Sequence, residues 1–244
     1  MGMQSAEDRA SAVPAHSRYL ERASELEGLS LKERFAHIYQ TNLWGSDESI
    51  SGSGSVLEQT RAIRAQLPVL LKELKVTSML DLPCGDLGWM REVDLSGIEY
   101  WGGDIVPELV ARHQEEFRGT GRRFAVLDLT RDALPPVDLV FCRDCLVHLS
   151  TKHLWEAVAN LKRSGARWLL TTTFPEHTNN RDIDDGDWRL LNLERAPFHF
   201  PAPTALLNEG CTEHDGAFAD KSLGLWRIAE LPDPPNRIRA EADE

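Results

Sequence analysis

Apolar positions fall into two textures along the chain. In the first, Ser30-Leu31-Lys32-Glu33 has the pattern of a capping box, and Phe35, Ile38 and Tyr39 follow at helical spacing. This predicts a short helix from about Ser30 to Thr41. The stretch Trp44 to Ser55 is too rich in Gly and Ser for regular structure. Ser55 to Glu58 has a second capping pattern, and Leu57, Ile63, Leu67, Leu70, Leu71 and Leu74 form one apolar stripe after it.

From Val76 the texture changes to short apolar runs alternating with helical stretches. Strands are predicted at Val76–Leu82, Glu99–Asp104, Arg123–Leu127, Val137–Cys142 and Arg167–Thr173, with a last one over Lys221–Leu231. Helices fit Pro107–Phe117, where proline suits the first turn, and Lys152–Arg163. This alternation predicts an α/β fold, a mostly parallel sheet with helices on both faces. The expected organisation is a mobile tail leading into a helical cap over 1–29 and a helical cap with a Gly/Ser-rich loop over 30–75. The α/β domain then spans 76–231, and a solvated tail 232–244. The long polar insertion after Phe174 is expected to be functional, because structureless loops of that length are uncommon in compact domains.

Composition narrows the partners. The 244 residues carry a formal charge of −12, with no clustered Lys/Arg stripe, so nucleic acid is not an expected partner. No apolar run approaches the ~20 residues of a membrane span. Met1 to His16 is small, polar and acidic and lacks the order of a secretory signal, so a cytoplasmic setting is expected. The four cysteines do not form a secreted disulfide framework and are expected to be reduced.

The chemistry begins with three carboxylates at equivalent places. Asp81 ends the first predicted strand, Asp104 the second, and Asp128 follows the third. In a doubly wound sheet, ligands lie across the carboxyl ends of the strands. An acid at the tip of the second strand can accept both hydroxyls of a ribose, and Asp128 is placed to accept from an adenine amino group. Asp81 and the Pro83-Cys84-Gly85 backbone would face a ligand's amino acid half. Neither Asp81 nor Asp86 suits a diphosphate, which argues against a nicotinamide site.

Leu80-Asp-Leu-Pro-Cys-Gly-Asp-Leu-Gly88, Tyr100-Trp-Gly-Gly-Asp-Ile105, Leu127-Asp-Leu129 and Val137-Asp-Leu-Val-Phe-Cys142 resemble, in order and spacing, four motifs of class I S-adenosylmethionine-dependent methyltransferases. Pro83 and Leu87 stand where glycines are common in that family. The resemblance covers roughly Leu74 to Leu231. It implies a Rossmann-like, seven-stranded sheet with an antiparallel last strand, and S-adenosylmethionine as methyl donor with S-adenosylhomocysteine released. It also implies Asp81, Pro83, Cys84, Gly85, Asp104, Ile105, Asp128, Leu129 and Arg143 as the donor site.

Residues around that site are expected to serve the acceptor. The loop after the fourth strand, Arg143 to His148, borders the expected methyl position. Asp144 and His148 are four apart and would share a face of a helical turn. His148 is read as a general base steered by Asp144, or else as a cap for the next helix. The Trp44–Ser55 loop is read as a lid or a linker. Trp44, Glu48, Asn180, Arg181 and Trp188 are the expected acceptor contacts, with Phe198 and Phe200 lining the pocket. Asp182, Asp184, Asp185 and Asp187 are read as a solvated turn, since their spacing does not complete an EF-hand. Cys84, Cys142 and Cys145 are expected to cluster. The preferred acceptor is a small polar metabolite methylated at oxygen or nitrogen. The alternatives are a protein or peptide side chain, or a donor-binding module without catalysis.

Overall fold

A computed structural model describes residues 14–235; the start of the expected N-terminal tail, 1–13, and most of the expected solvated tail, 236–244, lie outside them. The sheet has seven strands in the order β3-β2-β1-β4-β5-β7-β6. They are β1 Ser78–Asp81, β2 Glu99–Asp104, β3 Arg123–Val126, β4 Leu139–Cys142, β5 Trp168–Thr173, β6 Ala205–Asn208 and β7 Ser222–Arg227. Strands β1 to β5 pair in parallel, and β7 runs antiparallel to both β5 and β6. The antiparallel strand is therefore the last in sequence, as expected. Strand β6 lies outside the predicted set: it is a four-residue edge strand, Ala-Leu-Leu-Asn, in which Leu207 alone is buried, so its apolar run is too short to mark a strand.

Both faces of the sheet are covered because successive strand residues point to opposite sides. Leu80, Val140, Leu169 and Trp226 pack on one face with Leu154, Trp155, Val158 and Leu161 of the helix Thr151–Arg163. Met79, Phe141, Leu170 and Leu225 pack on the other, with Ile63, Leu67 and Leu70 of the helix Arg61–Glu73 and Val110 of the helix Pro107–Glu116. In chain order the helices are α1 Pro14–Arg22, α2 Leu31–Gln40, α3 Arg61–Glu73, α4 Pro107–Glu116 and α5 Thr151–Arg163.

The predicted capping box of α2 forms: Ser30 Oγ accepts from the Glu33 amide, and Glu33 accepts from the Ser30 amide at 2.9 Å. One reading before α3 needs correction. The capping pattern at Ser55 does not start a helix, because Ser55 Oγ meets Arg143 and the helix begins at Arg61 after Thr60. Leu57 consequently leaves the stripe and is exposed. Helix α1 also occupies part of the segment read as tail and cap start. Its Tyr19, with Leu26, Ile38 and Leu43, makes a small separate core under the cap. No helix among the described residues is long and apolar enough to cross a membrane.

Candidate functional site

The carboxyl ends of β1, β2 and β4 and the segment after β3 open into one cleft, with α2 and the Gly/Ser loop as its outer wall. Asp81, Pro83, Cys84, Gly85, Asp104, Ile105, Asp128, Leu129 and Arg143 all line it, as do Asp144 and His148. Across from them stand Phe35, Tyr39, Trp44, Ile50 and Ser51. Every expected donor contact therefore shares one wall.

The acids differ in how they are held. Asp104 accepts from the amides of Val106 (3.0 Å) and Gly85 (3.1 Å), so it ties the β1 loop to the β2 tip. Asp81 accepts from the Tyr100 hydroxyl at 2.6 Å. Burial pushes Asp81 up to about 7, against the pull of that hydroxyl, and Asp104 up to about 6, against its amide donors. A buried carboxylate lacking a counter-charge is costly to ionise. Both groups would gain from a cationic or hydroxyl-bearing ligand. Asp128 is partly committed, accepting from the Thr130 amide and hydroxyl and pairing with Arg131 at 3.1 Å. Beneath the β1 loop, His113 Nε2 bonds the Gly85 carbonyl at 2.7 Å, a support that sequence reading missed.

The Trp44–Ser55 loop lies on the cleft and is anchored to it. Asp86 accepts from Ser49 Oγ (2.8 Å) and the Ile50 amide (3.1 Å), and the Asp86 amide donates to Ser51 Oγ. Gly85 has φ +54, and a Cβ there would collide with Ser51 Oγ, so only glycine allows the loop this close. Farther along, Arg143 donates to the Gly54 carbonyl at 2.7 Å. The cleft, with a volume of about 130 Å³, stays open to solvent beside this loop.

His148 is buried and sits on the 3-10 turn Leu146–His148. Its Nδ1 bonds the Asp187 carbonyl at 2.7 Å, which fixes the tautomer with the proton on Nδ1 and the lone pair on Nε2. Burial lowers its pKa below the usual imidazole value, so the ring is neutral at pH 7. Asp144 does not steer it. Asp144 stands in the left-handed region at φ +50, not in a helical turn, and its carboxylate bonds Lys221 Nζ at 2.7 Å. Burial would raise Asp144, but Arg143 and Lys221 outweigh it and hold the carboxyl well below the carboxylate range. Lys221 also lies 3.6 Å from Glu209, and Arg143 bonds Glu209 at 2.7 Å. The expected dyad is replaced by a buried four-residue charge network, and the Asp187 carbonyl takes over the orienting role.

A second chamber opens on the far side of His148. It shares Trp44, Ser51, Asp144 and His148 with the cleft and adds Phe174, Trp188, Phe218, Glu213 and Lys221. Of the expected acceptor contacts, Trp44 and Trp188 reach it and three do not. Glu48 turns away to accept from the Leu57 amide at 2.7 Å. Asn180 is spent on the insertion itself, donating to the carbonyls of Asn192 and Ala196 and accepting from the Asn192 amide. Arg181 is exposed and donates to the Trp188 carbonyl. Phe198 and Phe200 are buried in the core, Phe198 against Trp155 and Phe200 against Trp226.

The acidic run has a local task. Asp185 accepts from the Ser150 amide and Asp182 from the Thr151 amide, each at 2.7 Å, so both complement the N-terminus of α5. Asp187 bonds His16 of α1 at 2.6 Å. The thiols do not cluster as three. Cys142 and Cys145 interact, whereas Cys84 packs on the opposite face of the sheet from Cys142.

No family model matches the sequence, and no curated protein does. Solved structures share the fold. The methyltransferase domain of bacterial CtHen1-C aligns with a TM-score of 0.51 at 14% identity, over 70% of this chain and 98% of that one. Human N-acetylserotonin methyltransferase in complex with SAM aligns with a TM-score of 0.50 at 15% identity, over 88% of this chain and 66% of that one. The Pyrococcus horikoshii OT3 protein PH0226 aligns with a TM-score of 0.44 at 20% identity, over 56% of this chain and 63% of that one. The chain thus spans somewhat less than two thirds of the lengths of the last two. Its fold is the Rossmann-like methyltransferase fold of the first two.

Proposed function

We propose that this chain transfers a methyl group from S-adenosylmethionine to a small polar acceptor, with His148 as general base. The observation that carries the reading is the placement of His148 between two chambers, one lined by the strand-end acids and the other by aromatic residues. The acids fit the donor. Asp104 can accept both ribose hydroxyls, Asp81 can pair with the ammonium group, and Asp128 can accept from the adenine amino group. A cation beside Asp81 would offset its burial. Gly85 leaves room for the backbone to approach. The bound donor supplies an electrophilic methyl carbon on sulfonium.

The protein contributes position and a proton acceptor. The donor chamber and the second chamber share His148 in their walls, so an acceptor held in the latter would be positioned beside the donor in the former. His148 Nε2 takes the acceptor's proton. Trp44 stacks on the imidazole and would stabilise the imidazolium that forms. The Trp44–Ser55 loop forms the outer wall of the cleft and would lie against the bound donor.

The test is titration calorimetry of the protein with S-adenosylmethionine, repeated on Asp104→Ala. Binding in the micromolar range, on the order of 8 kcal/mol, that collapses in the variant supports the reading. An absence of binding by the unaltered protein overturns it.

A further inference from the structure

We infer that His113 is a positioning residue for the donor wall: its Nε2–H holds the Gly85 carbonyl and thereby fixes which way the Gly85–Asp86 peptide faces. The inference rests on the donor-binding reading above. His113 stands in the last turn of α4 and lines neither chamber. Its ring is fully buried against Phe117 and Phe124, with centroids 6.2 and 5.3 Å away. Nε2 meets the Gly85 carbonyl at 2.7 Å. A carbonyl can only accept, so the proton is on Nε2 and the lone pair on Nδ1.

That Nδ1 is buried with no hydrogen-bond partner. Burial also holds the imidazole below its usual pKa, so the ring is neutral at pH 7. An aliphatic side chain could fill the space between the two phenylalanines without leaving a polar atom unpaired. Packing alone therefore gives no reason for a histidine here, whereas the Gly85 carbonyl does.

Gly85 needs such a hold. It stands at φ +54, and without a Cβ the peptides on either side of it rotate easily. Each of those peptides is pinned. The Gly85 amide donates to Asp104 at 3.1 Å, which fixes the first. The second contains the Gly85 carbonyl and the Asp86 amide, which point in opposite directions across one planar group. With the carbonyl bound to His113, the Asp86 amide faces the Gly/Ser loop and donates to Ser51 Oγ at 3.2 Å. The Asp86 carboxylate then accepts from Ser49 Oγ and the Ile50 amide. Rotation of this peptide would turn the amide away from Ser51 and re-aim the wall formed by Pro83, Cys84, Gly85 and Asp86. One hydrogen bond from beneath thus sets both the donor wall and its junction with the loop above.

The experiment compares the full-length protein with His113→Leu, which fills the space without a donor, and His113→Gln, whose amide nitrogen reaches about as far as Nε2. Three quantities are read: S-adenosylmethionine affinity by calorimetry, Tm, and hydrogen exchange of 83–88 and 46–55 without ligand. Loss of preorganisation in His113→Leu should weaken donor binding roughly tenfold or more. Exchange in both segments should speed up several-fold while Tm stays nearly unchanged. His113→Gln should recover most of the affinity and most of the protection. Donor binding by His113→Leu as tight as that of the unaltered protein would overturn the inference. So would a Gln variant as weak as the Leu variant, since affinity would then follow ring packing and not the bond to Gly85. If His113→Leu does not fold, His113→Asn against His113→Gln makes the same comparison, because the shorter amide cannot reach the carbonyl. A failure of the unaltered protein to bind donor would overturn the donor reading. Exchange of 83–88 would then still decide the hold itself: equal rates in the Leu and Gln variants would overturn it, and faster exchange in Leu alone would uphold it.

Discussion

The indole of Trp44 lies stacked on the imidazole of His148, with ring centroids 4.5 Å apart and planes 26° from parallel. Trp44 belongs to the loop over the cleft and His148 to the turn after β4, so the contact joins the outer wall to the buried imidazole. It also forms part of the partition between the two chambers.

Replacing Trp44 by Ala removes a π-face from the imidazolium. A cation–π contact is worth about 0.5–2 kcal/mol, so kcat should fall about 2- to 30-fold. Trp44→Phe should recover part of it. Steady-state kinetics at saturating donor checks this, and an unchanged kcat would remove Trp44 from the mechanism.

Donor affinity should weaken as pH falls through 7 toward 5. Asp81 and Asp104 must be ionised to accept from the donor, and burial has raised them to about 7 and 6 in the ligand-free protein. His148 is shifted the other way and protonates at lower pH than an ordinary imidazole. Calorimetry across this range should show the affinity loss. In Asp104→Asn the remaining acid limb should follow Asp81 alone.

Asp81→Asn should stabilise the ligand-free protein at pH 8 while abolishing donor binding. A carboxyl whose folded pKa exceeds its unfolded one favours folding below the unfolded value, and that advantage is lost as pH rises through 4 to 7. The amide oxygen still accepts from Tyr100 and carries no charge to bury. Thermal unfolding at pH 8 and pH 4 tests it: Asn should have the higher Tm at pH 8, with the gap closing at pH 4.

Arg143→Met should destabilise the fold by about 3–5 kcal/mol, because it strands a buried charge. Glu209 is 2% exposed, and its Oε1 has no hydrogen-bond partner while Oε2 relies on Arg143. Adding Glu209→Gln to Arg143→Met should restore a large part of the loss in denaturant unfolding. No recovery would mean that packing, not charge, sets the cost.

Asp86→Ala should free the loop over the cleft. Asp86 holds Ser49 and Ile50, and these contacts keep the loop down on Gly85. Limited proteolysis within 44–55 should become several-fold faster, with global stability changed by about 1–2 kcal/mol at most.

The sequence by itself determined six of the seven strands, the helices that cover the sheet and the acidic wall of the cleft. Short apolar runs in β1, β4 and β5, the Ser30 capping box and the strand-end positions of Asp81 and Asp104 are all local signals, read within a few residues. The nine residues named for the donor converge on one cleft because adjacent parallel strands bring their carboxyl ends together whatever fills the rest of the fold. Only the tertiary structure decided the partners of the side chains around it. Asp144 and His148 are four apart in sequence, but a left-handed turn sends the carboxylate to Lys221, 77 residues away, and leaves His148 to the carbonyl of Asp187. Asn180 and Glu48 were named for the acceptor because they are polar loop residues. They instead satisfy backbone groups of their own loops, a need that becomes visible only once those loops are folded. Phe174 and Phe218 lie on either side of β6 and meet across a chamber that no spacing rule describes. Pairings over such distances are fixed by the global packing of the chain and leave no periodic trace in it.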